Sequence, residues 1–152
     1  MIDDLPVNDD EFIRQFEEHS FPFPQWRHRA HVKLAYLYLV RHGFAAAGVK
    51  LREGIRAYNA ANNVPEGPTR GYHETVTQFW LHLVAVTVQQ YGQAPTGDEF
   101  VELHPQLGEK KNHRLFYSAD LFMSPRAKRE FVAPDLTALP MLRTSGEGGK
   151  GS

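Results

Sequence analysis

The chain has no cysteine, which excludes disulfides, a thiolate nucleophile, iron–sulfur clusters and cysteine-ligated zinc, and fits a reducing compartment. It also lacks any apolar run long enough for a membrane span, and the opening Met1-Ile2-Asp3-Asp4 is acidic where a signal peptide is basic. A cytoplasmic protein without a membrane partner is therefore expected. Neither sign of charge is in excess: 17 Lys and Arg stand against 18 Asp and Glu, for a net charge of -1. That balance argues against a nucleic-acid partner and against a disordered acidic chain. There is no Walker loop, no dinucleotide glycine fingerprint and no G-x-S-x-G elbow. Strand-type alternation is missing too.

What is present reads as helix. With 152 residues and 41% hydrophobic content the chain can build one proper core. Asn8 is placed to cap a first helix, with Glu11 reaching back and Phe12, Ile13 and Phe16 inward, as far as about Ser20. Phe21-Pro-Phe-Pro24 forces an extended entry, because a proline disfavours a helical residue before it. A second helix is expected from Gln25 to His42, stopped by Gly43, and a third from Phe44 to Asn62. The segment Asn63-Val-Pro-Glu-Gly-Pro-Thr-Arg-Gly71 is a turn region. A fourth helix should run from Tyr72 to Tyr91, and short helices should follow Thr96 and Ser124. Val132 to Leu142 reads as an extended closing strap pinned by Leu136, Leu139 and Leu142. The expected fold is an all-α, single-domain bundle over 1–142, with three main helices, two or three short ones and the strap. Residues 143–152 read as a flexible tail.

The chemistry is sought in the histidines. Successive helical residues turn by about 100°. On the second helix His28 and His31 share the apolar face with Val32, Ala35, Tyr38 and Leu39, while Arg29 and Lys33 point elsewhere. On the fourth, His73 lies in line with Trp80 and Val84, and His82 lies opposite. Three helices joined by short loops tend to run up, down and up. His28, His31 and His73 should then meet at one end of the core, beside Tyr58 and Asn59 of the third helix. Three buried imidazoles need a shared partner, and one transition-metal ion (copper, iron or zinc) held by His28, His31 and His73 would serve. Glu74 could add a ligand, act as base on bound water, or orient a ligand ring; an acid favoured by the helix dipole in a first turn is its plainer role. Tyr72 joins Glu74 as a catalytic candidate. Trp26, Tyr58, Asn59, Thr77 and Tyr117 are candidate pocket residues, with core packing as the plainer role of each. Lys110-Lys-Asn-His-Arg114 is a basic cluster able to receive an anionic substrate, though a solvated surface accounts for it more simply. Phe79 and Trp80 cannot face the same way, which leaves one for a subunit contact.

At Trp26-Arg-His-Arg-Ala-His31, Gly71-Tyr-His-Glu-Thr-Val-Thr77 and Pro134-Asp-Leu-Thr-Ala-Leu-Pro140 the chain resembles a family of small, uncharacterised bacterial helical proteins. The resemblance implies a bacterial, cytoplasmic origin and brings no activity or cofactor.

Three functions remain open on the sequence. The first is a metal-dependent enzyme acting on a small organic molecule, with redox chemistry on copper or iron ahead of zinc hydrolysis because the expected walls are apolar. A metal-free lyase, cyclase or isomerase using His73 and Glu74 as acid and base comes second. The third is a non-catalytic ligand-binding or protein-interaction module.

Overall fold

The computed structural model describes residues 8–143. The acidic opening lies outside the described residues, as does the expected tail from residue 144 on. The chain forms α1 (Asp9–Glu17), α2 (His28–His42), α3 (Phe44–Ala61), α4 (Glu74–Tyr91), α5 (Gly97–Leu103), α6 (Ala119–Phe122) and α7 (Pro125–Arg129). Short 3-10 turns occupy Phe23–Gln25, Pro105–Gly108 and Lys110–Leu115. No strand occurs among the described residues, so the fold is all-α and single-domain. None of these helices is long and apolar enough to cross a membrane.

Caps set most boundaries. Asn8 accepts from the Glu11 amide at 2.8 Å, yet the Glu11 side chain turns to Arg14 and Gln15 instead of reaching back. At α5, α6 and α7 the hydroxyls of Thr96, Ser118 and Ser124 each accept from the third amide of their helix. The second helix starts at His28 and not at Gln25, because the 3-10 turn holds Phe23 to Gln25.

The frame is the trio α2, α3 and α4. Gly43 alone joins α2 to α3, at φ 89°, a left-handed conformation open to glycine. The two helices must fold back on each other. Lys50 accordingly lies over the Tyr38 ring near the joint, and Tyr58 meets Trp26 at the far end, centroids 5.1 Å apart. Gly48 packs on Gln78 and Leu81 while Arg52 reaches Glu74, so α3 and α4 are also antiparallel. Parallel α2 and α4 follow.

α2 is buried on nearly every side from Val32 to Tyr38, because α5 covers the face that α3 and α4 leave open. Lys33 is therefore not solvated as its helical phase implied. It is 6% exposed, paired with Asp98 at 3.1 Å and set over the Phe12 ring. α4 is enclosed likewise: Phe79 and Trp80 are both buried, which leaves neither for a subunit contact.

Beyond α7 the chain runs without helix as far as residue 143. Its anchors are mostly polar. Asp135 accepts from the Ser118 amide and hydroxyl, the Leu136 amide donates to Phe116 O, and His82 reaches Pro140 O at 2.7 Å. Val132 is buried and Leu139 and Leu142 are half-buried, whereas Leu136 is exposed. The strap is thus held by hydrogen bonds more than by the leucine side chains expected to pin it.

Candidate functional site

A cleft of about 810 Å³ opens where the start of α2 faces the first half of α4. Its apolar surface is built by Trp26, Trp80, Ile55, Val76 and Phe122, with Ala35 and Leu51 beneath. The 3-10 turn Lys110–Leu115 closes one side and contributes Lys110, Lys111, His113 and Arg114. Arg27, His28, His31 and Thr77 complete the lining, and among the described residues no carboxylate belongs to it.

Each histidine of the cleft is held by a backbone carbonyl. His28 Nε2 lies 2.8 Å from Leu107 O, and His31 Nδ1 lies 2.8 Å from Arg27 O. His113 Nδ1 lies 2.8 Å from Lys110 O. A carbonyl only accepts, so in each case the contacting nitrogen carries a proton. In the neutral rings of His28 and His31 the lone pair then falls on His28 Nδ1 and His31 Nε2. Among the described residues no buried side-chain nitrogen or oxygen lacks a partner, and among those same residues His28 Nδ1 and His31 Nε2 have none. They are accordingly open to solvent, on residues that line the cleft.

The surroundings keep two of these rings uncharged. Burial lowers the His28 pKa from its ordinary value, and the nearby Lys110 ammonium adds to the effect. Burial pushes His31 down to about 4 against the opposing pull of the Arg27 carbonyl, with His28 and Lys110 contributing further. The rings pack firmly. Trp26 covers His31 with centroids 4.0 Å apart, and His28 meets the Trp80 ring edge-to-face at 4.5 Å.

His73 does not join them. It is the N-cap of α4, outside the helix, at φ -132° and ψ 110°. Its Nδ1 accepts from the Val76 amide at 3.1 Å and its Nε2 donates to Phe122 O at 3.0 Å, so both nitrogens are engaged. His28 meets α4 at Trp80, seven residues further on, or about 10 Å along a helix axis. Parallel helix order brings residues to the same end of a bundle but does not set their axial register. Among the described residues no three His, Asp or Glu side chains are placed to hold a metal ion. His28, His31 and His73 therefore do not fit one copper, iron or zinc ion.

Glu74 and Tyr72 also lie apart from the cleft lining. The Glu74 carboxylate is buried and receives Arg52 at 3.1 and 2.7 Å, Tyr72 Oη at 2.5 Å and Gln78 Nε2 at 3.2 Å. Burial by itself would raise its pKa, but the hydrogen bonds from Arg52 and Tyr72 outweigh that and hold it low. The Tyr72 phenol is raised by burial and by its bond to Glu74. Together they tie α4 to α3. Of the expected pocket residues, Trp26 and Thr77 line the cleft. Tyr58 and Tyr117 are core residues whose hydroxyls donate to Phe21 O and Val132 O, and Asn59 is buried within α3.

The cationic wall is the cluster that sequence alone gives more simply to solvent. Lys110, Lys111 and Arg114 sit in a turn too short to show helical periodicity, so helix phase says nothing of where they point. The available signal was a cluster of four basic or imidazole side chains within five residues, beside the single acid Glu109. No protein family matches the chain, and no curated protein or solved structure does either.

Proposed function

We propose that the chain binds a small organic molecule in this cleft and performs metal-free proton transfer on it, chemistry of the lyase, cyclase or isomerase class. The observation that carries this reading is the pair His28 and His31. Backbone carbonyls fix both rings in one tautomer, and each offers its lone pair beside an indole wall. A base must arrive unprotonated and within reach of the proton it takes. His28 Nδ1 suits that role. His31, with a pKa near 4, is a weak proton acceptor at neutral pH. It is better suited to accept a hydrogen bond from a substrate hydroxyl or amine and so orient it. The expected acid–base chemistry is retained in kind, with His28 and His31 in place of His73 and Glu74.

Deuterium incorporation tests the proposal. The protein is incubated in D₂O with a small-molecule extract, and compounds gaining carbon-bound deuterium are sought by mass spectrometry. Label should appear with wild type and be lost in His28→Gln. A compound retained by the protein but never labelled would leave only the binding module. No retained compound would remove the reading altogether.

A further inference from the structure

We infer that the molecule bound here carries an oxyanion, a carboxylate or a phosphate, on an apolar and preferably aromatic body. This rests on the cleft being a small-molecule site and names the ligand class it takes. Four cations line it, Arg27, Lys110, Lys111 and Arg114, and among the described residues no carboxylate does. None of the four has an ion-pair partner among the described residues; Lys50, Arg56, Arg70, Arg129 and Arg143 are likewise without one, but they stand outside the cleft, so the four are set apart by sharing one wall. The chain as a whole is nearly neutral, so this segregation is local to the cleft. The adjacent acid, Glu109, is occupied in capping the turn, where it accepts from the Lys111 amide at 3.2 Å.

Like charges held in one turn repel, and an anion between them offsets that repulsion. Arginine adds a planar fork that matches a carboxylate or phosphate with two parallel hydrogen bonds. Lys110 lines the same cleft as His28 and His31, and its charge acts on both rings, opposed at His28 by Glu109. A headgroup at the cationic wall therefore sits beside the two imidazoles. The rest of the ligand then lies against Trp26 and Trp80, where apolar burial and cation–π contacts favour a ring. A bound anion would also stabilise an imidazolium at His28 after proton transfer.

The chain has two tryptophans and both line the cleft, so intrinsic emission reports on this site. Emission and calorimetric titrations are run with phenyl phosphate, benzoate and benzyl alcohol. Saturable binding is expected for the two anions, about tenfold or more tighter than for the alcohol. Their order identifies the preferred headgroup. Raising the ionic strength should weaken the anions only. The exposed-wall variants K110A/K111A and Arg114→Ala, with wild-type melting temperatures, should bring anions and alcohol to similar affinities. Equal affinity of alcohol and anions in wild type would overturn the anion inference and leave the small-molecule cleft standing. Absence of a saturable response to all three probes would overturn both.

Discussion

His31 shows how one side chain ties the cleft to stability. Its folded pKa of about 4 lies below the unfolded value of about 6.5. Between those limits the unfolded chain binds more protons, so stability rises with pH. The contribution is complete above about pH 6.5 and declines as the pH falls toward 4. Urea midpoints measured across that window should therefore slope less steeply in His31→Gln than in wild type. Identical slopes would mean that the ring is not held neutral. His28, His73 and His104 are lowered in the same direction and add to the wild-type slope.

Glu74 shifts stability in the same sense, but as a charged group whose charge is favoured and not as a ring held neutral. Its folded pKa is held low, so its contribution is present above the unfolded carboxylate range and is lost as the pH falls through the folded value. Replacing Arg52 by Leu leaves a buried carboxylate with only Tyr72 and Gln78, at a cost of about 1–3 kcal/mol near neutral pH. The deficit relative to wild type should shrink as the pH falls from neutral into the acid range, because burial favours the protonated Glu74 once Arg52 is gone. Chemical denaturation at neutral and acid pH measures it, and a constant deficit would argue against the ion pair as the cause.

At the level of helices, the crossing of α1 over α3 depends on Gly54. A Cβ built there would lie 2.7 Å from Phe16 Cε2, in a ring that is fully buried and packed against Trp26 and Tyr58. Alanine is the better helix former by about 1 kcal/mol, so an exposed site would gain from the change. Here overpacking should win, with Gly54→Ala destabilising by about 1–3 kcal/mol. A raised melting temperature would show that Phe16 can give way.

Helix phase also explains what the sequence revealed and what it hid. His28 and His31 are legible because both lie within α2, where the 100° rotation per residue holds. His73 and Tyr72 are not, because α4 begins at Glu74 and the 100° rule has no meaning one residue outside a helix. Glu74 stands in the first turn of α4, as an acid favoured by the helix dipole would, but its partner Arg52 comes from α3 and only the packing reveals it. The three long helices and their order were legible from periodicity and from Gly43. Their axial offset was not, since side-chain volumes across the interface decide it. The turns at Pro105–Gly108 and Lys110–Leu115 are shorter than any periodic signal.

On the scale of the whole molecule, the cleft is assembled from distant parts of the chain and braced from behind by the strap. Asp135 grips Ser118, and Phe116 and Tyr117 are held by Leu136 and Val132. Those contacts follow directly on the Lys110–Leu115 wall. Asp135→Ala should therefore raise amide hydrogen exchange across residues 110–122 while leaving α2 and α3 protected. Unchanged exchange in that wall would mean that the strap is only a cover.

At the end of α2 and α3 remote from Gly43, Trp26 is stacked on Phe16 and packed against Tyr58. Those buried aromatic contacts make the α2 and α3 side of the cleft an anvil of fixed shape. Any accommodation to guests of different size must come from the wall of 3-10 turns. The protein should thus be tolerant toward the length of a guest's charged end and strict about the width of its ring.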